Sequence, residues 1–354
     1  MIVTGISGRH YSCGKSFASG SYGSVMTVTT PSGETFAYKQ YDNDSDDLID
    51  VGAMREISIL QLLKGNSFNL MNLTDIVYDL DHDFKPVIGI IMPKYDKNLY
   101  QAIKSNSLGI LDCKRIAYKL IRALHFLHYN GIIHRDIKPE NVLLTSENEP
   151  VLIDFTMSKV FTGLHQEGSH TGEIATAIYR APEAISKSYD FSADCWAMGV
   201  LLLELFTDQV FDCDKPVSVM RNAILDTSKY PKEIKEILLG LIRINPTERW
   251  TMEQCLHHST FGYKPKIFVP KIYKPLTDVI LNKEVIKQCQ RNEAQKPITV
   301  ITACHIISKT GCSVKVACEL AHKFYETKLR DISLDDYGEE EFDVFQRMDY
   351  NLII

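Results

Sequence analysis

The apolar pattern of this chain changes period along its length. Between residues 17 and 92 it runs mainly as short strands broken by small turn residues, and between 112 and 261 it runs mostly at helical spacing. A small β-rich part followed by a larger α-rich part implies an α+β fold of two lobes with a cleft between them. In the first part, Phe17-Ala18-Ser19-Gly20-Ser21-Tyr22-Gly23-Ser24-Val25 reads as a hairpin turn of small residues, Pro31-Ser32-Gly33 makes the next turn, and Thr35 to Tyr41 is a strand. Met54, Ile57, Leu60 and Leu63 share helical spacing, and Gly65 closes that helix. Val87 to Met92 is a further buried strand, after which Ile116, Leu120, Leu124 and Leu127 form one apolar stripe.

Composition narrows the function classes. The 354 residues carry 39 Lys and Arg against 45 Asp and Glu, a net charge of −6. That balance argues against a nucleic-acid partner held by a large positive field. The nine cysteines are scattered, with no Cys-x-x-Cys pair and no zinc-like spacing, so they read as reduced thiols. Met1 to Tyr11 has no apolar run, so no secretory signal is expected. Ala197 to Phe206 is too short for a membrane span and holds Glu204, so it reads as a buried helix. These features predict an intracellular protein, of cytoplasm or nucleus, with no membrane partner.

Around Tyr263 to Pro275 the composition shifts to Pro, Lys and aromatic residues, which reads as a linker over 262–275. The remainder, 276–354, has a helical pattern: Ile298 to Lys309, then Ser313 to Thr327, where Val316, Leu320 and Phe324 share a face with Ala317 and Ala321.

The residues that carry chemistry come as an ordered set. His134-Arg135-Asp136-Ile137-Lys138-Pro139-Glu140-Asn141 is followed by Asp154-Phe155-Thr156 and then by Ala181-Pro182-Glu183. In this order and spacing, residues 11–261 resemble a eukaryotic-type Ser/Thr protein kinase domain. The resemblance implies a bilobal protein kinase fold, with a β-rich N-lobe over 11–92, a helical C-lobe over 93–261, an N-terminal segment 1–10 and a C-terminal all-α segment. It also implies the use of ATP and Mg²⁺.

Each residue has a physical reason to be there, because phosphoryl transfer needs positioning and charge neutralisation more than covalent help. Asp136 would orient the substrate hydroxyl and accept its proton, and Lys138 would compensate charge on the transferred phosphoryl group. Asn141 and Asp154 offer the hard oxygens that Mg²⁺ prefers. Lys39 would hold the α- and β-phosphates and pair with Glu56. The plain alternative is that Asp136 and Asp154 merely cap loops. The resemblance further implies that Ala18, Ser19, Gly20, Ser21, Tyr22 and Gly23 cover the phosphates. Here the first glycine of the G-x-G-x-x-G pattern is replaced by Ala18, with some loss of φ freedom. Adenine would lie between Val25, Ala37 and Leu143, beside hinge groups from Pro93 to Tyr95, with Met92 gating the back of the pocket. A second departure is Thr156, where kinases carry Gly; its β-branch stiffens the joint and would either hold Asp154 toward the metal or reduce activity.

Ala53-Met54-Arg55-Glu56-Ile57-Ser58-Ile59-Leu60 resembles the cyclin-docking helix of the cyclin-dependent kinases, and His170 to Glu183 aligns with their activation segment. On that resemblance Thr171 falls at the activating phosphosite, read by Arg55, Arg135 and Lys159, the last a Lys where the family has Arg. Thr176 and Arg180 imply protein substrates phosphorylated at Ser or Thr, followed by Pro. Ala317 to Glu326 and Glu341 to Leu352 resemble parts of a cyclin box, with Lys323 and Glu341 at the positions that contact the docking helix. The expectation is a cyclin-like activator, supplied in cis by residues 276–354. Ala18 and Thr156 also motivate a reading from another class, a pseudokinase scaffold that binds nucleotide or partners without efficient catalysis.

Overall fold

The computed structural model describes residues 1–20, 23–41, 51–65, 68–80, 86–160, 179–186, 190–207 and 230–261, with isolated positions between 220 and 224 and beyond 300. Its first lobe is one six-stranded sheet: β1 (Ile2–Thr4), β2 (His10–Gly20), β3 (Gly23–Thr29), β4 (Thr35–Gln40), β5 (Asp75–Leu80) and β6 (Pro86–Pro93), in the order β1-β2-β3-β4-β6-β5. The expected hairpin is tighter than its small residues implied. Ala18 pairs with Val25 and Gly20 with Gly23, so strand continues almost to the tip.

Two strands of this sheet escaped the sequence reading. One is β5, whose alternation over Asp75-Ile76-Val77-Tyr78 is the signal that could have found it. The other is β1, only three residues long, in the segment expected to precede the lobe. It pairs with β2, while Gly5 bridges Val77 and the Ile6 amide donates to the Ile76 carbonyl at 2.8 Å. The N-terminal residues thus touch both ends of the sheet and curl it, enclosing a small second core of Val3, Tyr11, Val28, Tyr38, Val77 and Ile91.

α1 (Val51–Leu62) packs on the other face of the sheet, with Met54, Ile57 and Leu60 fully buried, and Gly65 beyond it adopts the expected left-handed conformation at φ 76°. In the second lobe α2 (Leu99–Lys104) and α3 (Ile110–Tyr129) precede α4 (Phe191–Thr207), and the stripe of Ile116, Leu120, Leu124 and Leu127 is wholly buried. α4 is buried from Ala193 to Thr207, and among the described residues no helix is long and apolar enough to cross a membrane. The stretch between α3 and α4 is less helical than its sequence implied: β9 (Val142–Leu144) and β10 (Pro150–Leu152) form one sheet with β7 (Lys97–Asn98), which precedes α2, and β8 (Ile132–Ile133) pairs with β11 (Lys159–Val160).

The linker 262–275 lies outside the described residues. Of the C-terminal segment, Ala303, Ile306, Val316, Ala317 and Ala321 are helical and buried, and with Met348 they belong to the same apolar cluster as the second lobe.

Candidate active site

The catalytic-type loop after β8 is held in a costly backbone shape by one buried acid. Arg135 sits at φ 71° and Asp154 at φ 69°, both in the left-handed region that L side chains avoid. Asp194, fully buried at the start of α4, accepts from the His134 amide at 2.7 Å, the Arg135 amide at 2.8 Å and His128 Nε2–H at 3.0 Å. His134 Nε2–H donates in turn to the Ile153 carbonyl at 3.1 Å, and the Ser158 hydroxyl donates to the His134 carbonyl at 3.1 Å. These bonds satisfy buried backbone groups that could not otherwise be paired, and so offset the strain.

On that frame Asp136 is clamped at one oxygen. Lys138 Nζ reaches Oδ2 at 2.8 Å and Asn141 Nδ2 reaches it at 2.7 Å, so both contacts fall on one carboxylate oxygen. Asn141 Nδ2 also donates to the Asp136 carbonyl at 2.9 Å, which fixes the amide orientation and turns Oδ1 away as an acceptor.

Across the cleft, Lys39 on β4 lies between two carboxylates, Glu56 of α1 at 2.7 Å and Asp154 at 3.1 Å. Burial disfavours the ammonium, but Glu56 and then Asp154 outweigh it and hold Lys39 well above the ordinary lysine range. Burial likewise disfavours the Asp154 carboxylate, yet Lys39 and the Thr156 hydroxyl bring its pKa from 3.8 down to about 2. The Thr156 hydroxyl donates to Asp154 Oδ1 at 2.5 Å, the same oxygen that Lys39 contacts, which leaves Oδ2 open. Glu56 accepts from the Phe155 amide at 3.1 Å through Oε1, and the buried Phe155 ring lies 5.1 Å from that of His134.

These groups open into one cleft of about 920 Å³ between the lobes. Ala18, Gly23, Val25, Ala37 and Lys39 line it from the sheet, Met92 and Tyr95 line its side, and Leu143, Asp136, Lys138, Asn141, Asp154 and Glu56 line the remainder. Gly23 is needed there: its φ is 136°, and a Cβ would meet the Gln40 carbonyl oxygen at 1.9 Å. Ser19 and Gly20 end β2, and Ser21 and Tyr22 lie outside the described residues. Sequence reasoning did not single out Tyr41, whose hydroxyl donates to Glu56 Oε2 at 2.8 Å, nor Phe17 on the cleft rim.

Of the positions read as regulatory, Arg55 lies half-buried on α1, Arg135 is buried in the catalytic-type loop and Lys159 lies on β11 beside it. Thr171 and Thr176 lie outside the described residues. Glu183 receives Arg249 at both oxygens, at 2.5 and 3.0 Å, and the guanidinium stacks 5.2 Å from Trp196.

The donor set suits a hard divalent cation. Asp154 and Asn141 line the same cleft as Lys39, and their side-chain oxygens are the hard donors that such a cation would take.

Comparison with known proteins agrees with this geometry. Residues 11–261 match the family model described as "Protein kinase domain". The chain is 31% identical over 318 residues to a probable serine/threonine-protein kinase of Dictyostelium discoideum, covering 77% of this chain and 60% of that protein. It is 31% identical over 214 residues to the cyclin-dependent kinase 4 homolog of Caenorhabditis elegans, covering 57% of this chain and 50% of that one. With the human cyclin-dependent kinase-like 4 it shares 33% identity over 284 residues, 68% of this chain and 72% of the relative. The chain thus spans only about half to three-fifths of the length of the first two relatives. A family match over most of the chain, carried on a bilobal frame, places it in the eukaryotic Ser/Thr protein kinase family, on its cyclin-dependent-kinase-like side.

Proposed function

We propose that the chain is an active, Mg²⁺- and ATP-dependent protein serine/threonine kinase. The observation that carries this reading is the Lys39 ammonium held between Glu56 and Asp154, facing the clamped Asp136 across a nucleotide-sized cleft. Lys39 is charged and aimed where α- and β-phosphates would lie. Val25, Ala37 and Leu143 supply apolar faces for adenine, with Met92 and Tyr95 at its edge. Asp154 and Asn141 would hold Mg²⁺, which when bound neutralises developing charge on the β- and γ-oxygens.

Asp136 Oδ1 orients the substrate hydroxyl. As the Ser or Thr oxygen bonds to the γ-phosphorus, the bond to the β–γ bridging oxygen breaks, ADP leaves, and the hydroxyl proton passes to Asp136. Lys138, already 2.8 Å from Asp136, lies where it can balance charge on the moving phosphoryl group. Substrates are proteins carrying Ser or Thr followed by Pro, a reading supported by Arg180 before Ala181-Pro182-Glu183. Thr171 is the activating phosphosite, bound by Arg55, Arg135 and Lys159.

The activator is the chain's own 276–354 segment, a reading supported by the burial of Ala303, Ile306, Val316, Ala317, Ala321 and Met348 in the apolar cluster that also holds residues of α1 and of both lobes. Tethering raises its effective concentration to about millimolar. The scaffold reading keeps Ala18 as its motive, since Thr156 forms a bond that helps to hold Asp154.

One assay tests these points: phosphate transfer from labelled ATP to a Ser-Pro peptide by the full chain, by Asp136→Asn and by residues 1–262. The expected result is activity in the full chain and a loss of at least about a thousandfold in Asp136→Asn. Wild type no better than Asp136→Asn would favour the scaffold. Equal activity of residues 1–262 without any added partner would remove the cis activator.

A further inference from the structure

We infer that Tyr41 is a positioning residue: from the end of β4 it holds Glu56, and with it helix α1, in the closed arrangement through this chain's own sheet. The inference rests on the kinase reading of the cleft and adds to it a holding device outside the motif set.

Tyr41 and Lys39 are two residues apart on one extended segment, so their side chains leave the same face of the sheet, the face that α1 covers. The strand ladder carries on through Tyr41, whose amide donates to the Ile88 carbonyl at 3.0 Å. The ring is buried and lies 5.3 Å from Lys39 Nζ, close enough for its π-face to favour the ammonium. Its hydroxyl donates to Glu56 Oε2 at 2.8 Å, the oxygen that Lys39 also contacts at 2.7 Å. Glu56 itself is 3% exposed, so water does not readily replace a lost donor.

Two donors on one oxygen have a mechanistic consequence. Lys39 must divide its three hydrogens among Glu56, Asp154 and the phosphates. When it turns toward the phosphates, an acid held otherwise only by the Phe155 amide would be freer to leave with its helix. Tyr41 keeps Glu56 fixed during that exchange. It therefore ties α1 to the sheet at a second point, independent of nucleotide and of any partner on the helix.

The test is Tyr41→Phe in the full chain, which keeps the buried ring and removes only the hydroxyl. Hydrogen exchange should quicken by about fivefold across Val51–Leu62 and in the peptide spanning Phe155, and stay unchanged in β2 and β3. In the peptide assay kcat/KM should fall by about tenfold with the peptide KM unchanged. In a Glu56→Gln background the same substitution should change kcat/KM by less than about twofold, because its target is already altered. Unchanged exchange in α1, or an equal loss in both backgrounds, would overturn the proposal. If the wild-type chain transfers no phosphate, the kinase reading fails and the exchange measurement alone decides the role of Tyr41.

Discussion

At the residue scale, the departure at Thr156 is chemically active rather than neutral. A glycine there would offer no hydroxyl, whereas Thr156 donates to Asp154 Oδ1 and helps to hold that acid ionised with a pKa of about 2. A carboxylate whose folded pKa is depressed stabilises the fold fully above its unfolded value of 3.8 and loses that contribution as pH falls through about 2. Thr156→Val keeps the shape and removes the donor, so the folded pKa moves back up toward 3.8. The variant should be less stable than wild type above about pH 4, and the difference should shrink as pH falls toward 2. Urea midpoints taken across that range measure it; a difference that does not narrow in acid would exclude this role.

At the scale of elements, the N-terminal segment is part of the first lobe. Asp75, at the start of β5, is 5% exposed and accepts from the Tyr11 hydroxyl at 3.0 Å and the Ser7 amide at 3.3 Å, while Ser7 Oγ also bonds to it. Burial, followed by the Asp75 charge, pushes the Tyr11 phenol up to about 12. Asp75→Ala strands the Tyr11 hydroxyl in the small core and removes the side-chain tie between Ser7 and β5, leaving the backbone contacts of Gly5 and Ile6. The expected cost is about 2–3 kcal/mol, with faster tryptic cleavage after Arg9, read by urea denaturation and by the rate of appearance of the nicked chain. An unchanged cleavage rate would mean that β1 and the backbone contacts of Gly5 and Ile6 hold the segment without Asp75. This arrangement was not legible in the sequence, because a three-residue strand carries too few alternating positions to register as a period.

At the scale of the whole molecule, a cleft built by two lobes makes nucleotide binding a stabilising event. With Mg²⁺ and a non-hydrolysable ATP analogue at about a hundred times its Kd, linkage adds about 2.7 kcal/mol. For a domain of this size that is a rise of about 5–10 °C in Tm. Lys39→Met should lose most of the rise, as seen by scanning calorimetry; an undiminished shift would place the nucleotide elsewhere.

The family and the motifs on which its chemistry would rest were legible in the order of residues alone. Asp136, Lys138, Asn141 and Asp154 fall within two short local stretches, and an ordered run of motifs can be recognised without knowing how the chain folds between them. The sequence also determined the main helices, since Ile116, Leu120, Leu124 and Leu127 repeat at the helical period and all become buried. Tertiary structure alone decided what holds those groups in place. Tyr41 meets Glu56 fifteen residues away, Thr156 and Lys39 share one oxygen of Asp154, and Asp194 reaches back sixty residues to fix the His134 amide. Such pairings depend on how sheet, helix and loop pack in space, and a one-dimensional pattern of residue types does not encode the distance between two side chains until the core between them has closed.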